Sequence, residues 1–168
     1  MKRVCVIGNG GGGKSTFADR LGKITHLPVI HMDKEFWNPD WTARFLDKET
    51  WHSHQKKLIQ NEKWIMDGDY RTNIQTRLDQ ADTIIFFDVP RWQCIWRVIK
   101  RSLSKEKPFD KHEGMKNKVE FGFLVYLYNY PYKEIRSLLH GYKDKKIYAI
   151  KNDDESRKLL EQFSGGSL

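Results

Sequence analysis

The stretch GNGGGGKST, residues 8–16, is where this chain most plainly carries chemistry. It fits the spacing G-x-x-x-x-G-K-[ST], with Gly8 first, Gly13 second, then Lys14 and Ser15. Gly8, Gly10, Gly11, Gly12 and Gly13 let backbone N–H groups turn inward around a nucleotide's phosphates without Cβ clashes. Lys14 would reach the β- and γ-phosphates, the Ser15 hydroxyl would hold Mg²⁺, and Thr16 completes the loop. The helix that follows offers its positive end to the same anion. The expected ligands are therefore ATP and Mg²⁺.

Further along, Asp33, Asp67 and Asp88 each close an apolar run that reads as a strand. Carboxylates at such positions can place Mg²⁺, its waters or an acceptor hydroxyl. Asp33 would orient an acceptor or a metal-bound water, and Asp67 would stand behind the metal's waters. Asp88 fits a site role and a local turn beside Pro90 equally well. Arg71 supplies a planar, bidentate fork suited to phosphate. Arg97 and Arg101, one helical turn apart, precede a polar, basic stretch over residues 102–118 that reads as a small lid. A basic lid would exclude water and put charge on the transferring phosphoryl group. Arg136 and Arg44 are weaker candidates of the same kind.

These residues need a scaffold, and strand and helix patterns alternate to provide it. Residues 2–7 read as a strand, 16–24 as a helix and 27–31 as a second strand running to Asp33. Residues 42–62 have helical spacing. A short strand at 64–66 ends at Asp67, and a helix covers 71–80. Residues 82–89 (DTIIFFDV) are apolar on both faces, as a buried parallel strand is. Pro90 opens a helix whose Trp92, Ile95, Trp96, Ile99 and Leu103 form an apolar stripe expected to face the core. A buried helix is expected over 115–130, another over 132–142, a fifth strand at 146–150, and a last helix capped by Asp153. The expected fold is α/β: one three-layer P-loop domain over residues 1–168 around a parallel five-stranded sheet. Ligands in such sheets bind beyond the C-terminal ends of the strands.

Residues 67–75 read DGDYRTNIQ and resemble the D-G-x-x-R-T-x-x-Q segment of adenylate kinases at Asp67, Gly68, Arg71, Thr72 and Gln75. The resemblance implies that Arg71 grips the phosphate of an acceptor. Over the first 100 residues or so the chain is more similar to adenylate-kinase-related proteins called DNA topology modulation proteins. The segments PVIHMDKEFW (28–37), WIMDGDYR (64–71) and the run 82–92 carry that likeness. It implies an ATP-binding, kinase-like fold, and the family name implies an effect on DNA topology. The acceptor-side segment, 34–62, lacks the T-G-D-x-x-R signature that holds AMP in adenylate kinases. It carries Phe36, Trp37 and Trp41 instead, aromatics that either stack on a ring or pack.

Composition bounds the function classes. Lys and Arg number 30 against 22 Asp and Glu, a formal charge of +8. That favours anionic partners: nucleotides, phosphorylated metabolites or nucleic acid. No helix-turn-helix, zinc-finger or RNA-recognition signature accompanies it. Cys5 and Cys94 form no CxxC pair, and neither a signal-peptide pattern nor an apolar run of membrane-spanning length is present, which fits a cytoplasmic protein. Residues 151–154 (KNDD) are not the N-K-x-D motif of GTPases, and L-S-G-G-Q is absent. The best reading is a phosphotransferase moving the ATP γ-phosphate to a small acceptor. The alternative is an ATP-binding regulator that associates with DNA. The base of ATP is expected near residues 151–154, and the acceptor between Asp33, Trp37 and Arg71.

Overall fold

The computed structural model describes residues 1–40, 42–103 and 121–165. Its core is a five-stranded sheet in which every pairing is parallel. The strands are β1 (Arg3–Gly8), β2 (Val29–His31), β3 (Trp64–Asp67), β4 (Thr83–Phe87) and β5 (Lys146–Ile150), in the order β2-β3-β1-β4-β5. The first strand is thus the middle one, and its alternating side chains feed both faces. Cys5 and Ile7 join a cluster with Trp64, Met66, Ile84 and Phe86. Val4 and Val6 join the opposite cluster with Phe17, Leu21, Ile85 and Phe87.

Helices cover both faces. The helix α1 (Lys14–Thr25) packs beside the C-terminal helix on one side. A short helix α2 (Met32–Phe36), α3 (Lys48–Ile59) and α4 (Ile74–Gln80) follow, with α4 entered through a single 3-10 turn at Arg71–Asn73. Then come α5 (Arg91–Leu103), α6 (Phe121–Tyr128), α7 (Tyr132–Leu139) and α8 (Asp153–Gly165). No described helix is long and apolar enough to cross a membrane. The α/β class and the parallel five-stranded sheet are as the sequence predicts.

Several local expectations are corrected. Asp33 does not end a strand: β2 stops at His31, and Asp33 sits inside α2. The helix expected from residue 42 starts at Lys48, where Asp47 accepts a hydrogen bond from the Thr50 N–H at 2.7 Å. Before it, Trp37 and Ala43 pair in an isolated antiparallel bridge. At the last helix Asn152, not Asp153, is the cap. Its side chain accepts from the Glu155 N–H at 2.9 Å, while the Glu155 carboxylate accepts from the Lys151 N–H one residue before the cap.

The largest correction concerns α5. Trp92, Trp96 and Leu103 of the predicted core stripe are 65%, 61% and 83% exposed. The helix buries Cys94 and Val98 instead. Its rotation is set by what the opposite side must meet: Cys94 and Val98 lie against Gly11, and Arg97 reaches Gly12 and Asp153. The helix α6 is likewise not the buried element expected, because only Leu127 of its residues is fully covered. Of the lid-like stretch, only residues 102 and 103 are described, as the last turn of α5; the remainder and Trp41 lie outside the described residues.

Candidate active site

The glycine loop is a crowded place, and the crowding explains its composition. At Gly11 the backbone has φ +75°, and an added Cβ would stand 2.5 Å from the Cys94 carbonyl oxygen of α5. At Gly10 a Cβ would meet Leu127 at 2.7 Å and Phe123 at 3.1 Å, both on α6. The loop is therefore clasped by helices from the second half of the chain. Asn9 is the fastener. It is fully buried, and its side-chain amide donates to the Leu127 carbonyl at 2.8 Å and to the Tyr132 hydroxyl at 3.2 Å. Gly13, at φ +103°, opens α1, so Lys14 and Ser15 occupy its first turn. The Lys14 ammonium folds back to donate to the Asn9 carbonyl at 2.9 Å.

On the β5 side, Arg97 bridges the loop to the turn after that strand. It donates to the Gly12 carbonyl at 3.0 Å and to both carboxylate oxygens of Asp153 at 2.9 Å. Arg101 follows one turn later, partly buried. Asp153, expected as a cap, thus serves as the partner of Arg97.

On the other side, register brings the acidic group together. His31 and Asp67 pair across β2 and β3, and Val6 and Asp67 across β1 and β3. Asp67 is 3% exposed; its Oδ2 meets His31 Nδ1 at 3.0 Å, and His31 Nε2 meets Asp19 of α1 at 3.1 Å. Burial alone pulls the His31 pKa down, but hydrogen bonds and charge from Asp67 and Asp19 outweigh it, and the net shift is upward. Asp67 Oδ1 is buried with no hydrogen-bond partner.

The turn after β3 is braced from beneath. Arg77, with no exposed surface, donates to the carbonyls of Gly68 and Asp69. It holds a backbone in which Gly68 has φ +140° and Tyr70 has φ +35°, a strained value for a non-glycine. The turn presents Asp69, Tyr70 and Arg71. Tyr70 donates to Asp33 at 2.7 Å; burial first, and Asp33 second, raise its pKa and keep the phenol protonated. Asp69 receives the Tyr130 hydroxyl at 2.8 Å and pairs with Arg71 Nε at 3.2 Å. Burial raises the Asp69 pKa against the opposing pull of Tyr130, Lys14 and Arg71. The Arg71 guanidinium lies over the rings of Tyr126 and Tyr130, at 5.2 and 5.7 Å.

Beside this turn Phe36 packs edge-on to Trp37 at 4.8 Å and to Trp51 at 5.0 Å, with Tyr70 at 5.4 Å. Asp88 and Arg136 pair with each other through two contacts of 3.0 and 2.6 Å, beside a cleft of about 620 Å³ between α5 and α7. Arg44 lies before α3, its backbone N–H donating to the Phe36 carbonyl.

The donor set fits a nucleotide-borne Mg²⁺ better than a protein-caged ion. Among the described residues no group of three His, Cys, Asp or Glu is arranged to hold a metal. A Ser15 hydroxyl beside the loop and an orphaned carboxylate oxygen on Asp67 suit an ion that keeps waters and phosphate oxygens as its other ligands.

Sheet order, loop and flanking helices define the P-loop kinase fold. No protein-family model matches the chain, and no curated protein matches it. Solved structures do. Shikimate kinase from Acinetobacter baumannii, in complex with shikimate, is 15% identical over 100% of this chain and 96% of its own, with a TM-score of 0.59. Deoxyadenosine kinase from M. mycoides, with dCMP and dCDP bound, is 15% identical over 98% and 97%, with a TM-score of 0.57. Shikimate kinase from Bacteroides thetaiotaomicron is 10% identical over 98% and 97%, with a TM-score of 0.58.

Proposed function

We propose that this protein is an ATP-dependent phosphotransferase acting on a small acceptor. The observation that carries the reading is a shared edge: the loop with Lys14 and the group Asp33, Asp69 and Arg71 stand at the C-terminal ends of adjacent strands. One half suits a donor's phosphates and the other an acceptor. The structural likeness to kinases supports the same chemistry through the fold alone.

The residues take these roles. Backbone N–H groups from Gly8 to Thr16 hold the phosphates, and Lys14 leaves the Asn9 carbonyl to meet the γ-phosphate. Arg97 and Arg101 add charge where the transferring phosphoryl develops it. Mg²⁺, held by Ser15 and through water by Asp67, would neutralise the β- and γ-phosphates when bound. Asp33 orients the acceptor hydroxyl and takes its proton. The acceptor oxygen then bonds to the γ-phosphorus as the bridging P–O bond breaks and ADP leaves. The base of ATP lies near residues 151–154, beside Arg97. The motifs at 28–37, 64–71 and 82–92 support kinship with DNA topology modulation proteins, and the buried, free thiols of Cys5 and Cys94 suit a cytoplasmic setting.

Purified protein should transfer labelled γ-phosphate from ATP to at least one member of a broad panel of nucleosides, nucleotides and hydroxylated metabolites. Water is included as an acceptor, because a kinase lacking its substrate leaks ATPase activity. Release to none of them removes the reading.

A further inference from the structure

Asp69 is given no step in the chemistry above, yet it pairs with the arginine that an acceptor phosphate would have to reach. Its side chain is 9% exposed and is held from several directions. Tyr130 donates to Oδ1 at 2.8 Å, while Arg71 Nε at 3.2 Å and the Tyr126 hydroxyl at 3.4 Å converge on Oδ2. Arg77 fixes its backbone, so the carboxylate has little room to swing away. Arg71 is correspondingly engaged: its Nε faces Asp69, and its plane lies against Tyr126 and Tyr130.

We propose that Asp69 makes the acceptor half of this site select an uncharged alcohol and reject phosphomonoesters. The inference rests on the phosphotransferase reading and names the class of its acceptor. A phosphomonoester carries about −1.5 to −2 charges at neutral pH. To reach Arg71 it must either lie against the Asp69 carboxylate or displace it, leaving a buried carboxylate without its Arg71 partner. A hydroxyl compound meets neither obstacle. It can donate to Asp69 and Asp33, while the half-buried rings of Phe36, Trp37 and Tyr70 offer an apolar wall to a ring.

The test loads the P-loop first and then titrates the acceptor half. AMPPNP·Mg²⁺ is bound to wild type, Asp69→Asn, and the double variant Asp69→Asn with Arg71→Ala. Each loaded protein is then titrated by calorimetry with inorganic phosphate and with AMP. Asp69→Asn removes the negative charge beside the Arg71 Nε, so both anions should bind it about tenfold or more tighter than they bind wild type. The gain should vanish in the double variant, which a merely structural role for Asp69 does not produce. Equal affinity in loaded wild type and Asp69→Asn overturns the inference and leaves the donor reading intact. If Asp69→Asn does not fold, loaded wild type decides alone: saturable binding of either anion overturns the inference, and its absence supports it. Failure of AMPPNP·Mg²⁺ to bind wild type removes the phosphotransferase reading itself.

Discussion

Lys14 rests on the Asn9 carbonyl at 2.9 Å, a contact that a nucleotide's phosphate can replace without disturbing the core. Lys14→Met should therefore lower γ-phosphate transfer by about 10²–10³-fold, the loss typical of one preorganised charge donor. The thermal unfolding midpoint should stay where it is, and a parallel drop in both would refute the assignment. His31 supports a second prediction. Its pKa in the folded protein lies above its usual 6.5, so the bound proton contributes stability that is complete below that pH. This contribution is lost as pH rises through the folded value. Urea unfolding of wild type against His31→Asn should show a stability gap that is widest at acidic pH and narrows towards alkaline pH; a gap that widens with pH contradicts it. At this scale the sequence discloses what is local. Residues 8–16 announce themselves because every participant lies within one loop. Asp69 and Arg77 do not, because one acquires its role from Arg71 and Tyr130 and the other from the carbonyls it supports.

Elements are legible where burial is two-sided and obscure where it is not. The strand β4 is buried at every position and apolar at all but Thr83, so it can only be interior. In α5 the apolar period is real, but it does not say which face meets the molecule; contacts of Cys94 with Gly11 and of Arg97 with Asp153 fix the rotation. The same packing sets opposite fates for two glycines. Gly11→Ala forces a Cβ to 2.5 Å from a backbone oxygen at positive φ, and should cost more than about 1 kcal/mol. Gly122, on α6, has nothing within 4 Å of a new Cβ, and Gly122→Ala should stabilise by up to about 0.5 kcal/mol. Chemical denaturation of the pair checks both signs, and AMPPNP binding should fall only in Gly11→Ala.

For the molecule as a whole, the exposed rings of Trp92 and Trp96 contribute little to folding. Replacing both with Lys should shift unfolding free energy by no more than about 0.5 kcal/mol per site. A larger loss in differential scanning calorimetry would mean that these rings are covered after all. The way Asn9 is fastened has a consequence in time. The clasp on residues 8–16 comes from Cys94, Leu127 and Tyr132, 118 and 123 residues after Asn9 in the last two cases, so those partners are made well after the loop. The middle strand must likewise wait for β3 and β4. The nascent chain therefore carries its most recognisable peptide as an unfinished hook until those partners follow. Nucleotide can help the newborn protein fold only once the helices carrying Leu127 and Tyr132 have been made.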